Sequence, residues 1–243
     1  MRILACPPND IILGVDLGQA NDYTAIAVTE VEATVGADAP GYVVRTLDRW
    51  RPRRYQDVVA RVAEIVPKLT VAVPVVGVAG GLTLVAPTVT LVLDRTGVGR
   101  PVGDLFSEAR LDVDLQLVTI HGGDAVTRDP DGSGWRVPKR DLAGVVAVAL
   151  QNGRLEIAPR LEHAATLRGE LANFRARTSA TGHDSYGAGD DWRQGNHDDL
   201  VLAVALSVWW GQHQRAPGRE GYSYSYLDDD RPDDDLGPAA WFA

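Results

Sequence analysis

The chain has 243 residues, 45% hydrophobic and 23% charged. That suits one α/β domain with a sizeable core and excludes disorder, collagen-like repetition and a disulfide scaffold. The single cysteine, Cys6, cannot close an internal disulfide, and a cysteine-based zinc centre needs several thiolates. A net charge of −9 argues against nucleic-acid binding until it is apportioned. Six Asp and one Arg between Asp228 and Ala243 carry −5, which leaves −4 for residues 1–227.

Met1 to Pro8 lacks the apolar run of a signal peptide, so the default compartment is the cytosol. Residues 1–10 read as an extension, 11–214 as one domain and 215–243 as an acidic, flexible tail. Ile11 to Leu17 is an apolar run that ends on Asp16 and Gly18, a buried strand with a carboxylate at its tip. After turn residues, Tyr23 to Val31 resumes as a hairpin partner, and Tyr42 to Trp50 is expected as a third, antiparallel strand. Arg53 to Lys68 places Tyr55, Val58, Val59, Val62, Ile65 and Val66 at helical spacing.

Between Lys68 and Asp94 lie 25 uncharged residues. Pro74, Pro87, Gly77, Gly80 and Gly81 make buried strands joined by a glycine turn the expectation there, not a membrane span. Val89 to Leu93 is a second strand ending in an acid, Asp94, and Gly97-Val98-Gly99 then opens a helical stretch to Arg110. Val113 to Ile120 follows as a strand, Gly122 to Gly134 as a loop and Pro138 to Gln151 as a helix stopped by Asn152-Gly153. Leu155 to Ile157 reads as a short strand, Leu161 to Arg177 as a helix, Thr178 to Asn196 as a long polar loop, and Leu200 to Trp210 as a strongly apolar helix. The order predicts an α/β fold with a mixed sheet flanked by helices.

Three apolar elements thus present acid at one end: Asp16, Asp94, and the pair Asp198-Asp199. Singly, each has a structural explanation, as a turn former, an ion-pair partner of Arg95, or the capping acids of a helix. A carboxylate at the tip of a buried strand is costly without a partner, so three converging on one place suit a hard cation such as Mg²⁺ or Mn²⁺. Two such ions about 4 Å apart clamp the attacking and leaving oxygens of a phosphodiester displacement.

Five segments carry a family resemblance: Gly14-Val15-Asp16-Leu17-Gly18, Asp22-Tyr23-Thr24-Ala25-Ile26, Leu93 to Gly99, Val137 to Leu142, and His197-Asp198-Asp199-Leu200 to Ala203. Over residues 11 to about 211 the chain resembles the nuclease domain of phage terminase large subunits. The resemblance implies an RNase H-like fold and a metal-dependent endonuclease that cuts double-stranded DNA during genome packaging. It implies Asp16, Asp94 and Asp199 as catalytic metal ligands for two Mg²⁺ or Mn²⁺ ions, with Asp198 sharing or replacing the last. Asp22 and His197 are auxiliary by the same comparison, and Lys139 or a nearby Arg is the candidate to neutralise the reacting phosphate.

The implied setting is a bacterial host cytoplasm, with a separate ATPase motor, a small terminase subunit and a portal as partners and no membrane. A motor partner is invoked because the sequence holds no G-x-x-x-x-G-K-[ST] loop. Basic clusters at Arg51, Arg53 and Arg54, at Arg136, Lys139 and Arg140, and at Arg175 and Arg177 are candidate phosphate contacts, the last beside the long loop being preferred. The competing readings are a catalytically silent packaging component, a resolvase-like or integrase-like nuclease, and an actin-like ATPase. A Ser/His/Asp hydrolase finds no G-x-S-x-G elbow.

Overall fold

The structure, a computed structural model, describes residues 10–18, 22–32, 39–76, 81–178, 184–187 and 198–214. The expected extension and tail fall almost wholly outside these residues. Three strands run first, β1 (Asp10–Asp16), β2 (Thr24–Glu32) and β3 (Gly41–Trp50), each antiparallel to the one before. Helix α1 (Tyr55–Leu69) follows, then a separate hairpin of β4 (Val73–Val76) and β5 (Leu82–Val85). Strand β6 (Val89–Asp94) returns to pair parallel with β1. After α2 (Arg100–Glu108), β7 (Asp114–His121) adds parallel to β6, and β8 (Thr127–Arg128) and β9 (Trp135–Pro138) close that edge. Helix α3 (Lys139–Gln151) leads to β10 (Leu155–Ile157), which joins the far edge beside β3. Helix α4 (Ala164–Asn173), a hairpin of β11 (Arg175–Thr178) and β12 (Asp184–Gly187), and α5 (Asp199–His213) complete the described chain.

The main sheet has eight strands in the order β10-β3-β2-β1-β6-β7-β9-β8, mixed as expected and flanked by helices on both faces. Strand alternation sorts the core. Leu13, Val15, Leu17, Leu91 and Leu93 pack with α1 and α2 on one face, and Ile12 and Val92 pack with α3, α4 and α5 on the other. By the same period of two, Asp16 and Asp94 lie on the α5 face.

Helix α5 is buried on all sides from Asp199 to Gly211, as a helix apolar all round must be. Its one buried hydroxyl, Ser207, is satisfied by Thr29 at 2.7 Å and by the Val204 carbonyl. It seats directly on β1 because Gly14 has no side chain: a Cβ there would stand 1.9 Å from the Ala203 carbonyl oxygen. That close approach carries the N-terminus of α5 to the tips of β1 and β6.

Four expectations need correction. The strands of the uncharged stretch are not all buried, since Leu82 and Leu84 of β5 are 60% and 71% exposed. The helix expected through Arg177 ends at Asn173, because Phe174 turns extended and Arg175 to Thr178 pair with β12. The loop expected from Thr178 to Asn196 therefore contains a strand. The loop expected at Gly122 to Gly134 contains β8, and β9 follows it unforeseen; Asp129, held by the buried guanidinium of Arg95, pins the turn between them to the sheet.

Candidate metal centre

Parallel pairing of Val15 with Leu93 puts Asp16 and Asp94 side by side at the strand tips. Both are buried. Desolvation pushes the Asp16 carboxyl well above the usual carboxylate range, and the nearby charges of Asp94, Asp199 and Asp198 push it further, with Lys139 opposing. Asp94 is also raised by burial. Thr96, through its backbone N–H at 2.8 Å and its hydroxyl at 2.5 Å, and a hydrogen bond from Asp16 hold it back. The Thr96 hydroxyl accepts in turn from the Ile120 N–H at 2.6 Å, tying Asp94 to β7.

Asp198 and Asp199 arrive from above on the first turn of α5. The Asp198 carboxylate takes a hydrogen bond from Lys139 Nζ at 2.7 Å, and Asp199 takes two from Arg49, at 2.8 and 3.2 Å. Arg49 lies on β3, stacked over the Tyr23 ring, whose other cationic neighbour is Arg51. A cleft of about 350 Å³ opens beside these groups, lined by Asp94, Thr96, His121, Asp124, Lys139 and Arg140 among others.

Sequence reasoning passed over three of these groups. Arg49 is the ion-pair partner of Asp199 and Thr96 the anchor of Asp94. The third, Glu170 of α4, is buried at 7% exposure and accepts hydrogen bonds from the backbone N–H groups of Leu200 and Val201 at 3.0 and 3.1 Å. Its carboxyl is pushed up to about 7, chiefly by burial, against the lowering effect of those bonds and of Arg49. A signal for it existed, because Glu170 falls at i+3 within the stripe Leu167, Leu171, Phe174, where a lone charge must be answered from another element.

Of the remaining candidates, Arg140 lies on the cleft, bound to the Asp124 carboxylate at 2.5 Å and to its carbonyl. Arg136 is exposed on β9, between Trp135 and Val137 that point into the core, so it leaves by the face opposite the acids. Asp22 is exposed on the approach to β2. Arg175 and Arg177 stand on the β11–β12 hairpin, and His197 lies outside the described residues.

The chemistry of the donor set fits a hard divalent cation: four carboxylates, no thiol, and two of the four desolvated together. Among the described residues, however, no three acids are already drawn into a metal-holding cluster. The reason is visible in the ion pairs, since Asp198 and Asp199 are turned to Lys139 and Arg49. An ion held here would have to displace those cations or share the carboxylates with them.

The chain is similar in structure to the large terminase nuclease of thermophilic phage G20c. With magnesium bound, that nuclease aligns with a TM-score of 0.52 at 18% identity over 84% of this chain and 82% of its own. The fold is that of the terminase nuclease. The cobalt-bound form of the same phage protein gives 0.52 at 17% identity over 85% and 92%, and a further structure of it 0.50 at 18% over 84% and 92%. No family model matches the sequence, and no curated protein matches it. Among the described residues no helix is long and apolar enough to cross a membrane.

Proposed function

We propose that the chain is a metal-dependent endonuclease that hydrolyses phosphodiester bonds of double-stranded DNA, in the manner the terminase resemblance implies. The observation that carries the reading is the placement of Asp16 and Asp94 side by side on adjacent parallel strand tips, within electrostatic reach of Asp198 and Asp199, with Asp94 and Lys139 on the wall of a cleft. Asp16 and Asp94, with Asp199 or Asp198, would hold Mg²⁺ or Mn²⁺, two ions in the two-metal form of the chemistry. Such ions, when bound, supply a Lewis acid for the phosphate and lower the pKa of a water.

The chain's own residues do the positioning. Thr96 fixes the Asp94 carboxylate against β7, and Lys139 and Arg140 line the cleft where a phosphate would enter. Arg140 and the hairpin residues Arg175 and Arg177 are the proposed contacts to flanking phosphates, which orient DNA without reading its sequence. Arg136, on the other face, has no part in this arrangement. Within a phage-infected bacterial cytoplasm, a separate motor, small subunit and portal complete the packaging setting proposed for it.

Purified protein incubated with supercoiled plasmid in Mn²⁺, Mg²⁺ or EDTA tests the reading. The expected result is nicked and linear DNA with either ion, none with EDTA, and none with Asp94→Asn. A folded wild type that cuts nothing under any of these conditions overturns it.

A further inference from the structure

A helix leaves the N–H groups of its first turn without partners inside the helix, and an aspartate at the N-cap ordinarily turns its own carboxylate onto the second and third of them. Helix α5 has that aspartate, Asp198, and does not use it so: its side chain makes no capping bond and reaches Lys139 at 2.7 Å. The N–H groups it would have taken belong to Leu200 and Val201. Both go to one oxygen of Glu170, at 3.0 and 3.1 Å, from a different helix.

We infer that Glu170 is a positioning residue that caps α5 from α4, and in doing so releases the Asp198 carboxylate from capping to serve the site. The local geometry supports the exchange. Glu170 is buried, so its oxygen is held in place by packing rather than by choice of rotamer in solvent. Arg49 lies 3.9 Å from the other Glu170 oxygen while donating to Asp199, so the cap and the adjacent acid are braced by one guanidinium. A carboxylate turned onto the first-turn amides is held in the capping rotamer, which restricts its reach toward Lys139 and the strand tips. The fold relieves that restriction by placing a second carboxylate within an apolar stripe of α4, where it takes the two amides instead.

Three changes in the full chain test this: Glu170→Gln, Glu170→Leu and Asp198→Ala, read by hydrogen exchange of the Leu200 and Val201 amides and by calorimetric titration with Mn²⁺ alone. The Mn²⁺ readout rests on the nuclease reading; the amide readout does not. In Asp198→Ala both amides stay protected, because residue 198 is not their acceptor. Glu170→Gln keeps a carbonyl oxygen with two lone pairs, so both amides stay protected and Mn²⁺ affinity remains close to that of the wild type. Glu170→Leu sends Asp198 back to the cap and weakens Mn²⁺ binding by roughly tenfold to a hundredfold, the range for loss of a group that orients a ligand.

In the Glu170→Leu background, Asp198→Ala then exposes the amides but costs no further Mn²⁺ affinity. Loss of amide protection in Asp198→Ala alone, or Mn²⁺ losses that simply add in the double variant, overturns the inference. Should Glu170→Leu not fold, Asp198→Ala and Glu170→Gln still decide it through the amides. A wild type that binds no Mn²⁺ counts against the nuclease reading and leaves the amide test standing.

Discussion

Glu170 makes the stability of the metal-free protein depend on pH in a predictable direction. Its carboxyl titrates at about 7 in the folded chain against 4.5 when solvated. The folded state therefore holds the proton more tightly, and stability is full below about pH 4.5 and is lost as pH rises through 7. A rise of that size is worth about 3 kcal/mol at about 1.4 kcal/mol per unit, and about 2 kcal/mol once screening by water near the cleft is allowed for. Glu170→Gln keeps the cap and removes the titration. Urea unfolding of both proteins in EDTA, at half-unit steps from pH 5 to pH 8, should show the variant gaining on the wild type by about 2 kcal/mol across that range. Asp16 and Asp94 titrate in both proteins and cancel in the difference. A flat difference curve refutes the reasoning, because it means the Glu170 charge is as well accommodated as in water.

Three further changes probe the frame around the acids. Gly14→Ala puts a methyl group 1.9 Å from the backbone oxygen of Ala203, which cannot yield as a side chain would. It should cost about 3 kcal/mol or more in urea unfolding, and an unchanged midpoint would show that α5 is not seated on β1 as described. Asp16→Asn removes a carboxyl whose raised pKa makes stability fall as pH rises through it, so at pH 8 in EDTA the variant should melt at a higher temperature than the wild type while losing plasmid cleavage. Arg95→Met leaves Asp129 buried without its guanidinium and should cost about 3 to 5 kcal/mol, of which Asp129→Asn in the same chain recovers a part. Additive losses in that pair would mean that the ion pair contributes no coupling.

The elements that carry Asp16 and Asp94 were legible because a strand buried on both faces has few ways to end on a charge. Ile11 to Leu17 and Val89 to Asp94 read as strands from apolar continuity alone, and period-two alternation sets the face each acid takes. Helix α5 was legible for the same reason, an apolar run with its polar residues at one end. The edges were not. Trp135 to Pro138 is four residues closed by a proline, too short for periodicity to register, and it becomes a strand only because β7 offers it a partner. Arg175-Ala176-Arg177-Thr178 fits a strand as well as a helix, and the pairing with β12 decides. Arg49 carried no signal in its own neighbourhood. Its role arises from register, since β3 brings it opposite Ala25 and Ala25 opposite Asp16, two strands away.

The pattern of charge around the strand tips bears on what the site is for. Five carboxyls, those of Asp16, Asp94, Glu170, Asp198 and Asp199, gather around the strand tips, where Arg49 and Lys139 are cations paired with them. Burial, with neighbouring carboxylates adding to it, favours the protonated forms of Asp16 and Glu170, which is the direction in which both are shifted. Replacement of Asp16 by an apolar residue would relieve part of that cost, whereas Asp94, Asp199 and Glu170 each answer a donor or a cation of the fold. Glu170 in the metal-free fold still has a structural use, as the cap of α5. Asp16 makes no such cap: burial and the neighbouring carboxylates raise the free energy of its charged form, and Lys139 and the hydrogen bond to Asp94 offset only part of that. A carboxyl that the metal-free fold would be better off without is what the proposed metal-dependent function requires, because a bound cation would supply the missing countercharge.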